Sequence, residues 1–235
     1  MTTQALHVLC AGAVQGLVKA LQGRFTDETG AALDLRFGAV GALKEALAGG
    51  APCDVMIVTD AMVSALQAKG LLSAVSRAPL GRVRTGIAVR EGEPVPDIST
   101  AEVLKARLLA AGAVYFPDPE RATAGIHFAA VLDRLGVRGT LGPRLRTFPN
   151  GATSMRELAA DRTPGAIGCT QITEILYTPG IVLAGALPDA YELATVYTAA
   201  LSSYAMQPGL AQHFIDLLAG PQTRALRAEG GFEFD

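Results

Sequence analysis

Short apolar runs that suit a strand alternate along most of this chain with stretches whose apolar residues recur every three to four positions. A strand period followed by a helix period, repeated, is the mark of an α/β layer architecture with mainly parallel strands. Residues 6–11 read as a strand, and Val14, Leu17, Val18, Leu21 and Phe25 then mark one face of a helix that the Glu28-Thr29-Gly30 turn closes. A second strand at 33–37 leads through Gly38-Ala39-Val40-Gly41 into a helix carrying Leu43 and Leu47. Residues 54–58 form a buried strand, followed by a helix with Met62 and Leu66 and a stop at Lys69-Gly70. Residues 82–90 alternate as a strand, 91–99 form a Pro-rich acidic loop, and Ser99 with Glu102 reads as a capping box for a helix over 100–110. A second cycle places strands at 113–117, 145–148 and 166–170 and helices at 125–135 and 153–161, before a strand over 192–201 and two closing helices at 209–218 and 222–228. Two cycles predict two lobes.

Composition limits what such a fold serves. The 235 residues are 50% hydrophobic and carry a net charge of −2 with no basic block, so neither nucleic acid nor an anionic membrane surface is an expected partner. No apolar run reaches the length of a membrane span. Cys10, Cys53 and Cys169 lie in or beside apolar runs, far apart, without metal-ligand spacing, and read as small buried residues. The opening MTTQALHVLCAG has no basic leader. As written it predicts a cytoplasmic protein, or a periplasmic one where a leader has been removed. Gly-x-Ser-x-Gly, P-loop and dinucleotide fingerprints are absent, so no cofactor and no metal is expected.

The segment YFPDPERATAGIHFAAVLDRLG, residues 115–136, carries the strongest chemical signal. An apolar strand end, a Pro-rich bend and Gly125 lead into a helix whose apolar stripe is read as Ile126, Ala130, Val131 and Leu135. Helix starts present unpaired N–H groups and the positive end of the helix dipole, so Thr123, Ala124 and Gly125 are candidate anion ligands. Arg121 adds a fork suited to a carboxylate, as do Arg82 and Arg84 farther back. Asn150-Gly151-Ala152-Thr153-Ser154 reads as a second capped helix start, which makes Ser154 a candidate. Thr170 and Gln171 are polar where the chain leaves a buried strand, the place where α/β sheets bind ligands. His7 and His213 have no partner at metal-ligand spacing, and Asp54 and Asp60 bracket a strand and read as local caps or local pairing partners.

Four segments together resemble the molybdate-binding proteins of the type 2 periplasmic solute-binding superfamily: HVLCAGAVQGLVKALQGRFTDETG, FGAVGALKEALAGGAPCDVMIVTD, FPDPERATAGIHFAAVLDRLG and FIDLLAGPQTRALRAEGGF. The resemblance implies a two-lobed α/β fold with the ligand in a cleft between lobes. Lobe one would hold residues 1–83 and 196–235, lobe two residues 84–195, and closure would be a hinge motion. It also makes Gly12, Ala13, Val14, Ala39 and Val40 candidate ligand residues. In molybdate-binding members two of these loops carry serines and lobe two contributes a tyrosine hydroxyl. The matching positions here are Ala13, the Gly38–Gly41 loop and Gln171.

The expected function is therefore a binding protein that closes on a small anion, an oxyanion such as molybdate or tungstate or, because the serines are absent, an organic carboxylate. A transporter or regulatory partner would accompany it. One alternative is a cytoplasmic isomerase of a tricarboxylic acid, since aconitate isomerase shares the superfamily's fold. Proton transfer there needs a base, for which His127, Glu174 and Tyr177 are the candidates. A ligand sensor is the third reading.

Overall fold

The computed structural model describes residues 5–234. The first four residues and the last, assigned above to lobe one, lie outside the described residues. In chain order the elements are β1 (Ala5–Ala11), α1 (Gln15–Thr29), β2 (Ala32–Gly38), α2 (Val40–Ala48), β3 (Val55–Thr59), α3 (Asp60–Ala68) and β4 (Leu72–Arg90). They continue with α4 (Ala101–Ala110), β5 (Val114–Pro117), α5 (Thr123–Arg134), α6 (Arg138–Leu141), β6 (Leu145–Phe148), α7 (Gly151–Ala160) and β7 (Ile167–Gln171). The chain closes with α8 (Ile172–Tyr177), β8 (Ile181–Ala186), β9 (Ala194–Ser202), α9 (Pro208–Ala219) and α10 (Arg224–Glu229). It divides into two compact units, one of residues up to Arg82 together with those from Thr195 on, the other Val83–Ala194.

Unit one is built on strands in the order β2-β1-β3-β9. β1 is parallel to β2 and β3, and β9 returns antiparallel on β3, so the sheet is mixed rather than mainly parallel. The α1 stripe buries Leu17, Val18, Leu21 and Phe25, and Phe25 meets Phe214 of α9 edge to face at 5.1 Å between ring centroids. Asp54 is the polar anchor of this unit. Only 1% exposed, its carboxylate accepts the backbone N–H groups of His7 (2.8 Å), Met206 (2.7 Å) and Gln207 (3.2 Å). It thus ties β1 to the start of α9, a long-range role in place of the local cap expected. Asp60 likewise reaches across the fold, accepting from Arg77 and from Thr198 of β9 at 2.8 Å.

In unit two, β5 lies between β6 and β7 and is parallel to both, while β4 runs antiparallel to β7 and to β8. One face of this sheet packs on α4, α5 and α6 through Ile87, Leu104, Leu108, Phe116, Phe128, Val131, Leu132, Leu141 and Cys169. The other face packs on α7 and α8 through Ala88, Tyr115, Met155, Leu158 and Ile175. Strand alternation assigns each neighbouring pair of residues to opposite faces.

Several sequence expectations change. β4 starts at Leu72, ten residues before the alternation was visible, because its early face is inverted: Ser76 is buried against Gln212, whereas Val75 is 95% exposed. α8 is too short to show a period, and every residue of β8 is half-buried, so neither announces itself. The cap of α4 is Thr100, whose Oγ1 accepts the Val103 N–H at 3.2 Å, while Ser99 is held in a turn by Asp97. On α5 the buried stripe is Ala124, Gly125, Phe128, Ala129, Val131 and Leu132, which leaves Ile126 and Ala130 on the exposed side. All three cysteines are buried free thiols, and desolvation pushes Cys53 up to about 12.

Removing the Asp54 carboxylate leaves three partly buried backbone donors without their acceptor, each worth about 1–3 kcal/mol where water does not replace it. Asp54→Ala is therefore expected to lower the unfolding free energy by about 3–5 kcal/mol in urea titrations. An unchanged midpoint would contradict the anchoring role.

Candidate functional site

Every helix start leaves N–H groups without intrahelical partners. Six of the starts fall into two groups. α3, α4 and α7 are capped by side chains: Thr59 accepts from Met62 N at 3.3 Å, Thr100 from Val103 N at 3.2 Å and Asn150 from Thr153 N at 2.8 Å. The 3-10 turn Gly12–Val14 that opens α1, and helices α2 and α5, instead have Ala11, Ala39 and Ala122 at the cap position, with no side-chain acceptor. Alanine is a poor cap, typically about 1 kcal/mol worse than serine or threonine. Each of these three starts directly follows the carboxyl end of a parallel strand or its loop, where N–H groups and helix dipoles favour an anion.

In unit one β1 and β2 end level, Ala11 opposite Gly38, so Gly12, Ala13 and Val14 leave the sheet beside Ala39 and Val40. The structure thus brings these five candidates to one strand edge. All the anion-binding capacity there is backbone, because Ala13, Val14, Ala39 and Val40 are buried apolar residues without a hydroxyl.

In unit two the loop after β5 is shaped by Asp118, whose Oδ1 accepts the N–H groups of Glu120 (2.7 Å) and Arg121 (3.1 Å). The exposed Arg121 thereby has its amide committed, and the first turn of α5 supplies Thr123, Ala124 and Gly125. Gly125 is required by proximity: a Cβ there would lie 2.1 Å from the Asp118 carbonyl and 2.4 Å from that of Pro117. His127, half-buried on the same helix, donates from Nε2 to the Tyr191 carbonyl at 2.7 Å. A carbonyl only accepts, so the neutral ring carries its proton on Nε2 and its lone pair on Nδ1.

The α7 start is filled from within the protein. Glu174, 5% exposed, receives the Thr170 hydroxyl at 2.5 Å together with hydrogen bonds from the N–H groups of Ala152 and Gln171. Gly151 allows this contact, since a Cβ at that position would fall 1.9 Å from Glu174 Oε2. Desolvation outweighs the three donors and pushes Glu174 up to about 7. Thr170 is thus committed to Glu174, and Ser154 is fully buried with an unpartnered hydroxyl. Gln171 is 2% exposed with neither amide atom partnered. Tyr177 stands apart from these groups at the far end of α8, 40% exposed.

Arg82 pairs its backbone with Glu233, and Arg84 lines a surface groove with Asp97, Ser99 and Asp189. Thr85 escaped the sequence reading. It is fully buried with an unpartnered hydroxyl, and a threonine opening the apolar run of residues 85–89 was the available signal. Among the described residues no group of three or more His, Cys, Asp or Glu is placed to hold a metal, and no helix is long and apolar enough to cross a membrane.

Known proteins bear on this arrangement. A curated aconitate isomerase from Pseudomonas sp. is 27% identical over 97% of this chain and 87% of its own length. The molybdate-binding protein ModA of Escherichia coli strain K12 is 23% identical over 97% of this chain and 88% of its own length. The solved periplasmic molybdate-binding protein of Azotobacter vinelandii superposes with a TM-score of 0.77 at 20% identity, covering 98% of this chain and 99% of that one. The shared architecture is the two-lobed α/β fold of periplasmic solute-binding proteins, and fold alone does not assign a ligand. The profile of the bacterial extracellular solute-binding protein family matches residues 6–233, and the chain belongs to that family.

Proposed function

We propose that this protein binds a small anion, and that the anion is an organic carboxylate rather than a tetrahedral oxyanion. The reading rests on the alanine-capped starts after β1, β2 and β5, which leave backbone N–H groups to a ligand, whereas the starts of α3 and α7 are capped by side chains. Backbone donors serve any anion. A compact dianion stripped of water needs several further donors, and unit one provides no hydroxyl at Ala13, Ala39 or Val40. A carboxylate spreads one charge over two oxygens and needs fewer. The candidate contacts are main-chain groups of Gly12, Ala13, Val14, Ala39 and Val40 in unit one and of Thr123, Ala124 and Gly125 in unit two, with Arg121 at the loop edge and a transporter or regulatory partner reading the loaded state.

A second reading, an isomerase acting on a tricarboxylic acid, draws on the likeness to aconitate isomerase and on Glu174. A carboxyl near neutrality is poised to exchange a proton at physiological pH. Nδ1 of His127, the ring nitrogen not bonded to the Tyr191 carbonyl, is the other candidate to accept one. In deuterium oxide an isomerase would label the C–H positions of cis- or trans-aconitate, whereas a binder leaves them unlabelled.

Titration calorimetry against molybdate, tungstate, sulfate and a set of di- and tricarboxylates should show at least tenfold tighter binding of a carboxylate, and no heat from any of them would sink the proposal. Thr123→Ala should weaken that binding by about tenfold, equivalent to one hydrogen bond to a charged group. Glu174 makes a separate, ligand-free prediction. Its folded value lies above the unfolded carboxyl value of 4.5, so the stabilisation from protonation is complete below pH 4.5, is lost as pH rises through about 7, and is flat beyond. Across that window the wild type should lose about 3 kcal/mol relative to Glu174→Gln in urea unfolding. A pH-independent difference would show that Glu174 is ionised throughout.

A further inference from the structure

Thr85 and Gln171 face each other directly across the antiparallel β4–β7 pair, so their side chains project from the same face of the unit-two sheet, with Cβ atoms about 5 Å apart. The next pair on that face, Ile87 and Cys169, belongs to the apolar cluster with Phe116, Phe128 and Val131, which identifies it as the α5 face. β7 is parallel to β5, with Val114 opposite Ile167, so Gln171 lies at the strand end from which the chain turns into α5. Two buried polar side chains therefore stand beside the alanine-capped start of that helix. Thr85 is 0% and Gln171 2% exposed, and Thr85 Oγ1, Gln171 Oε1 and Gln171 Nε2 all lack a hydrogen-bond partner. Exchanging the amide oxygen and nitrogen changes nothing, since both are unpartnered.

We infer that Thr85 and Gln171 form the part of the anion site that reads a hydrogen-bond donor on the ligand, selecting a hydroxycarboxylate. This rests on the proposal above that the α5 start takes an anion. Helix N–H groups only donate, and a fully ionised tetrahedral oxyanion only accepts. Such an ion satisfies Gln171 Nε2 and the Thr85 O–H but leaves Gln171 Oε1 turned toward negative charge. A hydroxycarboxylate resolves all three. Its carboxylate takes the amides of Thr123 to Gly125, its O–H donates to Gln171 Oε1, and its hydroxyl oxygen accepts from Thr85 or from Gln171 Nε2. A buried site with matched polar groups rejects an analogue lacking the hydroxyl far more strongly than an apolar pocket rejects a missing methylene.

The test pairs ligands that differ by one hydroxyl: malate against succinate and citrate against tricarballylate, with molybdate as the acceptor-only probe. Calorimetry on the full chain should find the hydroxylated member of a pair bound at least tenfold tighter, and Thr85→Val and Gln171→Met should each bring that ratio to within about threefold. Without ligand, Thr85→Val should raise the melting temperature, because it removes an unpartnered buried hydroxyl at constant shape. Equal affinities within each pair in the wild type, a ratio that survives both substitutions, or a lowered melting temperature for Thr85→Val would each overturn the inference. Carboxylate binding without hydroxyl preference overturns this inference alone, whereas no binding of any probe overturns the anion reading as well.

Discussion

The N–H groups at the start of each helix must find partners, and the way each start finds them organises the chemistry of this fold. In both units parallel strands bring their carboxyl ends to the same edge of the sheet, so the helices that follow begin together. Thr59, Thr100 and Asn150 fill the starts of α3, α4 and α7 with side-chain oxygens. Ala11, Ala39 and Ala122 do not. The N–H groups at these three alanine-capped starts give a fixed positive potential there, with no mobile cation to desolvate.

The dipeptide Thr170-Gln171 shows how a strand end distributes two kinds of chemistry. Alternation sends Thr170 to the α7 face, where its hydroxyl joins the N–H groups of Ala152 and Gln171 around the Glu174 carboxylate. It sends Gln171 to the α5 face beside Thr85. The first environment is closed and satisfied, an internal carboxyl group occupying a helix start. The second is buried and unsatisfied. Gly151 and Gly125 are the matching steric concessions, one admitting a carboxylate and the other a backbone carbonyl against the first turn of a helix.

Much of this was legible from pattern. The alternation of periods located both cycles, and the stripe of α1 from Leu17 to Phe25 is the buried one. The pattern misled where the fold inverted local polarity. Ser76 is buried while Val75 is exposed, so β4 looked shorter than it is. On α5, Ile126 looked like core, yet Phe128, Val131 and Leu132 form the packed stripe, with Gly125 close against the Asp118 carbonyl. Asp54 looked like a local cap or pairing partner, but its carboxylate joins His7 near the start of the chain to Met206 and Gln207 near its end.

The sequence by itself determined the α/β class, the two cycles of strands and helices, the burial of the cysteines and the helix start at Thr123 to Gly125, because these follow from local periodicity, turn chemistry and backbone geometry. Only the tertiary structure decided which polar groups are partnered. Glu174 finds the α7 start, and Thr85 meets Gln171, through strand register and sheet face. Register is a property of two chain segments at once, set by how their apolar faces bury together, and no window of sequence containing only one of them carries it.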